Sequence, residues 1–329
     1  MPHILIFGAT GTIGGALAHY LLSSGQHTVY GLARSPAKAK VLAKQEIIPV
    51  LGSIAEPKGF LDLLASHPEI SVVVDAAAAY GESATIVDLL VTAGKKRLEE
   101  YERVGAPSGP KLGYVYVSGM WVHGSSHTPV SDMDALTGTS AAGSPPANMV
   151  AWRPQIERTI LSPATRAVLD TAIARPACTY GSGSAIWGAP LSALLKATKA
   201  SPQPPSVQIT LDPLGTAALV HVEDAGAGIG ALVEKLPLLA GTGVYPVFDF
   251  VGQIESVRAI MEGAARVFGY KGVVELTGVQ EGDVLGEALS SSVIGDSGRA
   301  RGLLGWEAKR RGFFSGIDLY ATSWLAGTE

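Results

Sequence analysis

The residues best suited to chemistry come first in the chain. The stretch "FGATGTIGG" (Phe7–Gly15) sets Gly8, Gly11 and Gly14 directly after an apolar run and at the start of a helix-forming segment. A glycine at the first place lets the chain turn tightly and lets phosphate approach the backbone, while the last allows close helix–strand packing. The helix N-terminus then offers N–H groups to a diphosphate. Gly8, Thr10, Gly11, Thr12, Ile13 and Gly14 form the candidate cradle. In a chain with 40 Gly among 329 residues this spacing arises about once by chance, so its position between strand and helix carries the weight.

A second group lies at the end of the next strand. A chain that binds NAD usually places a carboxylate there for the adenosine ribose. Here the sequence runs Ala33-Arg34-Ser35. Arg34 removes like-charge repulsion and offers a fork to a 2′-phosphate, with the Ser35 hydroxyl beside it. The pair predicts NADP(H) over NAD(H). No His/Cys cluster has metal-ligand spacing, and no Ser-His-Asp arrangement stands out.

The elements that must hold these groups follow from apolar periodicity. "HILIF" (His3–Phe7) reads as a buried strand, Thr12–Ser24 as a helix ended by Gly25, and His27–Arg34 as a second strand. Pro36 suits the first turn of the next helix. Ile47–Gly52 is a third strand, weakened by Pro49. Ser71–Ala78, Gly113–Gly119 and Val168–Pro176 continue the pattern, the last after a helix containing Trp152. Near-continuous apolar strands between helices imply a doubly wound parallel sheet of Rossmann type, an α/β fold. After Pro176 the alternation fails and Gly, Ser and Pro dominate until Ala217–Lys235 resumes it. The tail predicts a helix over Glu255–Phe268, a short strand over Gly272–Leu276 and a helix over Phe313–Leu325. The reading is a cofactor domain over 1–180 and about 215–250, interleaved with a substrate lobe over about 181–214 and 251–329. The Gly/Ser/Ala/Pro-rich segment 134–147 reads as a flexible loop placed to cover a ligand.

Composition narrows the partners. A net charge of −4 provides no footprint for nucleic acid or anionic lipid, leaving a small molecule as the expected ligand. The single cysteine, Cys178, precludes an intrachain disulfide. There is no leader-like N-terminus, and no apolar run approaches the roughly 18–20 residues of a membrane span. The expectation is a soluble cytoplasmic protein with no membrane partner.

With these segments in hand, the sequence resembles the extended branch of the short-chain dehydrogenase/reductase superfamily, which holds NAD-dependent epimerases, dehydratases and reductases. The likeness runs through "GATGTIGG", "VVDAAA", "YVYVSGMWVHG", "ARPACTYG", "VHVEDAGAGI" and "SGRARGLLGWEAK", in family order across nearly the whole chain. It implies a Rossmann sheet, a smaller C-terminal substrate lobe and a homodimer through two helices. It also implies that Ala76, Ala77 and Ala78 line the adenine ribose and diphosphate, with Val117 at the end of strand five. Pro176, Ala177 and Cys178 would close over the nicotinamide. The family's strand-three Asp, near the adenine, is shifted to Ser53, followed by Ile54.

The departures fall on the chemistry. Aligned on Gly124, the family's Ser/Thr position is Gly119, with Ser118 one residue earlier. Aligned on Glu157, the family's Tyr-x-x-x-Lys falls on Met149 and Arg153. None of the ten Tyr is followed by Lys four positions later. Met149 cannot exchange a proton, and Arg153 can bind the ribose and supply positive charge but does not deprotonate. Substitutes for the missing acid are His123, which titrates in a useful range, Ser118 as a polarising hydroxyl, and Tyr80 beyond strand four. Each of the three also has a purely structural reading. Cys178 reads as a small buried residue and Tyr180 as structural. Three functions fit these residues. One is an NADP(H)-dependent oxidoreductase on a small carbonyl or alcohol, with a non-standard proton donor. Another is a non-redox isomerase or cyclase that keeps NADP(H) as a structural cofactor. The third is a non-enzymatic NADP(H) sensor. The retained substrate lobe favours an enzyme.

Overall fold

The computed structural model describes residues 2–77, 81–134, 143–181 and 183–328. Strands and helices alternate through the first half: β1 (His3–Phe7), α1 (Thr12–Ser23), β2 (Thr28–Ala33), α2 (Pro36–Lys44), β3 (Ile48–Leu51), α3 (Lys58–Ser66), β4 (Ile70–Asp75), α4 (Ser83–Arg103) and β5 (Leu112–Val117). Helix α5 (Arg153–Leu161) precedes the strand Leu169–Pro176. These strands and Val247–Phe250 form one seven-stranded sheet in which every pairing is parallel. From one edge to the other its order is Val247–Phe250, Leu169–Pro176, β5, β4, β1, β2, β3. The order reverses between β1 and β4, so a ligand crevice opens beyond the carboxyl ends of those strands. This is a Rossmann-type α/β sheet.

The period of two in each strand divides the core between its faces. Ile4 and Ile6 pack with α1 and the helix Val222–Leu239, while Leu5 and Phe7 pack with Val73, Tyr114, Tyr116 and Ile156 on the other face. Burial on both sides explains why β1 reads as an unbroken apolar run. β3 keeps Pro49 because it is an edge strand, where a missing N–H disrupts no second ladder.

Strands Cys178–Tyr180, Thr216–His221 and Gln253–Ser256 make a separate three-stranded sheet. It packs with the helices Gly188–Lys199, Val257–Phe268 and Ile317–Ala326 around Tyr180, Trp187, Phe313 and Tyr320. Thr216–His221 therefore pairs inside the lobe, while the helix that follows it returns to the large sheet. Two segments singled out by sequence meet where the chain crosses. Asp224 accepts Trp306 Nε1–H on its backbone oxygen and the Arg310 N–H on its carboxylate, both at 2.9 Å.

One boundary differs from the sequence reading, which puts Trp152 inside the helix before Leu169–Pro176: Trp152 only caps that helix. Met149 is not on the helix that carries Arg153; it sits in a 3-10 turn, Asn148–Val150, and α5 starts at Arg153. Pro154 has no N–H to bond back to Val150, so the helix starts afresh there. Most of the expected loop 134–147, namely 135–142, lies outside the described residues.

Candidate functional site

The glycine turn is packed to contact. Gly8 has φ of 82°, and a Cβ there would lie 2.7 Å from the Ala76 carbonyl oxygen. A Cβ on Gly14 would lie 2.3 Å from the Gly8 oxygen, and the Gly11 N–H donates to that same oxygen at 2.8 Å. These neighbours are backbone and cannot step aside. Helix α1 then begins at Thr12 with no side chain capping it, and Thr10, Gly11 and Thr12 are exposed. Free N–H groups at an exposed helix start, reached past glycines, suit a diphosphate. Gly14→Ala is expected to destabilise the fold by about 1–3 kcal/mol through overpacking, measured by thermal unfolding.

The two strand ends that the sequence reading assigns to adenosine lie side by side. Ala33 pairs with Leu51, and the Gly52 N–H donates to the Ala33 oxygen at 3.1 Å. The Ser35 hydroxyl accepts the Lys38 N–H at 3.3 Å and caps α2, while Ser53 accepts the Glu56 N–H at 3.0 Å. Both oxygens hold turns and keep an O–H to donate. Ile54 is core. Arg34 is exposed and forms no ion pair with another described residue. Across the crevice the Ala76 N–H donates to the Phe7 oxygen at 3.0 Å, and Ala77 is exposed at the mouth. Val117 is buried at the end of β5. Ala78 and Tyr80 lie outside the described residues.

A cavity of about 400 Å³ opens at the ends of β5 and Leu169–Pro176. Ile13, Ser118, Gly119, Met149, Arg153, Pro176, Ala177 and Cys178 all line it, so most of the candidates for the nicotinamide end converge. Trp121, Thr179 and Ile186 join them without any signal in the sequence. Burial pushes the Cys178 thiol up to about 12, despite the neighbouring Trp187, so it stays protonated. The Tyr180 hydroxyl donates to the Arg311 oxygen at 2.5 Å, a structural tie.

His123 is placed elsewhere. Its imidazole is buried with Nε2 2.8 Å from Asp249 Oδ2. Asp249 Oδ1 lies 3.8 Å from Arg175 Nη1, and Arg175 donates through Nε and Nη2 to Glu157 at 3.2 and 2.5 Å. Burial alone would lower the Arg175 pKa, but the Glu157 and Asp249 carboxylates raise it. Asp249 stands in "VFDF", which reads as plain core until the fold sets His123 and Arg175 beside it.

This buried pair aims the site. Glu157 ties α5 to the strand Leu169–Pro176, and Arg153 lies one turn before it on the same helix face. A Cβ on Gly119 would lie 2.8 Å from Arg153 Nη1. The guanidinium thus fills the space that a side chain at position 119 would need. Its Cζ lies 5.5 Å from the Trp152 ring centre. Arg153 Nε and Ser118 Oγ are buried without a hydrogen-bond partner among the described residues. One cation and one free hydroxyl therefore meet in a mostly apolar cavity, where their electrostatic effect is strongest.

Asp75, at the end of β4, went unnoticed in the sequence because it closes the apolar run "SVVVD". It is 1% exposed, and its Oδ1 accepts the Ala77 N–H at 3.1 Å while Oδ2 has no hydrogen-bond partner among the described residues. Burial pushes its carboxyl up to about 6, against the pull of the Ala77 N–H and the Arg153 charge.

Fold and site together define a Rossmann-type protein with a cavity at the carboxyl ends of its central strands and a second, smaller sheet packed with C-terminal helices. Residues 4–97 match the NAD dependent epimerase/dehydratase family. The fold of the whole chain is similar to a UDP-glucose-4-epimerase from Stenotrophomonas maltophila with bound NAD, at 18% identity, TM-score 0.67, covering 100% of this chain and 99% of that one. It is also similar to dTDP-glucose 4,6-dehydratase from Bacillus anthracis in complex with NAD, at 18% identity, TM-score 0.66, covering 99% and 97%. A functionally unknown conserved protein from Silicibacter pomeroyi has the same fold, at 16% identity, TM-score 0.64, covering 99% of each chain. No curated protein matches the sequence. The chain thus carries the epimerase/dehydratase pattern over its N-terminal segment and shares its fold, end to end, with such enzymes. Among the described residues no cluster of three or more His, Cys, Asp or Glu could hold a metal, and no helix is long and apolar enough to cross a membrane.

Proposed function

We propose that the protein is an NADP(H)-dependent oxidoreductase acting on a small carbonyl or alcohol, with Arg153 as its electrophile. The observation that carries this reading is the Arg153 guanidinium seated at Gly119, beside an unpartnered Ser118 hydroxyl in the cavity. A nicotinamide bound there supplies or accepts hydride. Arg153 hydrogen-bonds the substrate oxygen and stabilises the negative charge that grows on it, without itself losing a proton. Ser118 donates a second hydrogen bond to the same oxygen. Met149, Trp121 and Trp152 exclude water and give the substrate an apolar seat.

The choice of NADP(H) rests on Arg34, exposed where a carboxylate would repel a 2′-phosphate. Two of the solved structures named above, the epimerase and the dehydratase, are complexes with NAD. Arg34→Asp is expected to weaken NADPH about 10–100-fold, the worth of a charge-assisted contact, and to leave NADH nearly unchanged. NADPH fluorescence titration measures this, and equal loss of both cofactors refutes the assignment. Activity is tested by following nicotinamide absorbance with a panel of small ketones, aldehydes and 2-oxo acids. Tight NADPH binding with no oxidation across the panel would sink the oxidoreductase reading in favour of a non-redox or sensing role.

A further inference from the structure

We propose that Asp75 is the proton reservoir of this site, reaching the substrate oxygen through the Ser118 hydroxyl and replacing the absent tyrosine; this rests on the oxidoreductase reading above. β4 and β5 run side by side with Asp75 opposite Tyr116. Alternation along β5 puts Tyr114 and Tyr116 on the face shared with Val73, whereas Val115 and Val117 face the other core. Asp75, two residues beyond Val73, joins the tyrosine face. Ser118 continues the row, still in register, with its N–H donating to the Ala174 oxygen at 2.8 Å.

Along this row Asp75 Oδ2, Tyr114 OH, Tyr116 OH, Ser118 Oγ and Arg153 Nε are all buried without a geometrically formed hydrogen bond to another described residue. Native cores leave only a few such atoms per 100 residues, so their concentration along one row calls for an explanation in function. The groups that face Asp75 are Arg153 from α5, Tyr114 and Tyr116 from β5, Glu82 at the start of α4, and its own neighbour Ala77 N–H. Burial holds both phenols well above their usual range, so neither exchanges protons near neutrality. Among the titratable members of the row, Asp75, at about 6, is the one in the range useful to a general acid. Tyr114 lies near enough to Asp75 for its hydroxyl to interact with the carboxyl; catalytic contacts of this kind commonly tighten only around substrate.

The step balances without a further co-reactant. In reduction the carbonyl carbon takes a hydride from the reduced dinucleotide, and the carbonyl π pair forms an O–H bond with the Ser118 proton. Ser118 regains a proton from the Asp75 carboxyl, which is left as carboxylate beside Arg153 and is reprotonated from solvent. Alcohol oxidation runs the same steps in reverse.

The experiment compares wild type with Asp75→Asn, which keeps an oxygen for the Ala77 N–H. In ¹³C-Asp-labelled protein without cofactor, a carboxyl resonance should titrate at about 6 and be missing from the variant. The kcat for reduction should fall as pH rises through that midpoint, because reduction needs the protonated carboxyl. Asp75→Asn should lower kcat about 10²–10⁴-fold, flatten the profile and leave NADPH affinity unchanged. Ser118→Ala provides the second test should the first variant fold poorly: it should lose rate while the Asp75 resonance keeps its midpoint. Lack of that titration, or an Asp75→Asn or Ser118→Ala enzyme with wild-type rate and profile, overturns the proposal. A wild-type chain that oxidises NADPH with no carbonyl refutes the oxidoreductase reading instead.

Discussion

Glu157→Gln should cost about 3–5 kcal/mol of folding stability, the loss expected when one partner of a buried ion pair is removed. Glu157 is fully buried and Arg175 1% exposed. The change leaves the guanidinium charged in the core, with only Asp249 at 3.8 Å to compensate. It also loosens the tie that sets the phase of α5, so Arg153 should lose its place at Gly119. Denaturant unfolding measures the first effect. Replacing both partners by apolar residues of like volume should recover much of the loss, because the desolvated charges then disappear together. A Glu157→Gln protein within about 1 kcal/mol of wild type, the ordinary effect of a point mutation, would show that the pair is not what anchors α5.

Arg153→Gln should lower kcat/KM for a carbonyl substrate about 10²–10³-fold, the effect of deleting one donor aimed at a developing oxyanion. Arg153 is only partly buried and has no ion pair with another described residue, so the fold should survive. Arg153→Lys should not restore the rate. An ammonium is a compact point charge and cannot reproduce a planar fork wedged against Gly119. Steady-state kinetics on the first active carbonyl test both variants. Near wild-type kcat/KM in Arg153→Gln would remove Arg153 from the chemistry and leave it a structural filler of the Gly119 space.

Much of the architecture was legible because its causes are local. Unbroken apolar strands, the glycine turn and Pro36 at a helix start each carry a short-range steric or burial requirement that residue types reveal. The convergence of Ile13, Ser118, Arg153 and Pro176–Cys178 was legible by resemblance, since the segments occur in family order. The start of α5 was not, because the motif suggested a continuous helix where Pro154 interrupts the hydrogen bonding. Nor was the placement of Thr216–His221, whose alternation is the same whether it pairs with the large sheet or with Cys178–Tyr180.

The charged groups divide most sharply. Sequence by itself determined that Met149 and Gly119 hold no proton-exchanging group, that Arg153 carries a guanidinium, and that a tight glycine turn follows β1. Those properties belong to residue types and to neighbours in the chain. Tertiary structure alone decided that His123 meets Asp249 across the core, that Arg153 fills the space at Gly119, and that Asp75 is buried within reach of the Arg153 charge, its pKa raised by burial. The reason is physical: desolvation and ion pairing depend on what surrounds a side chain in space, and residues 126 positions apart have no short-range signal of their meeting.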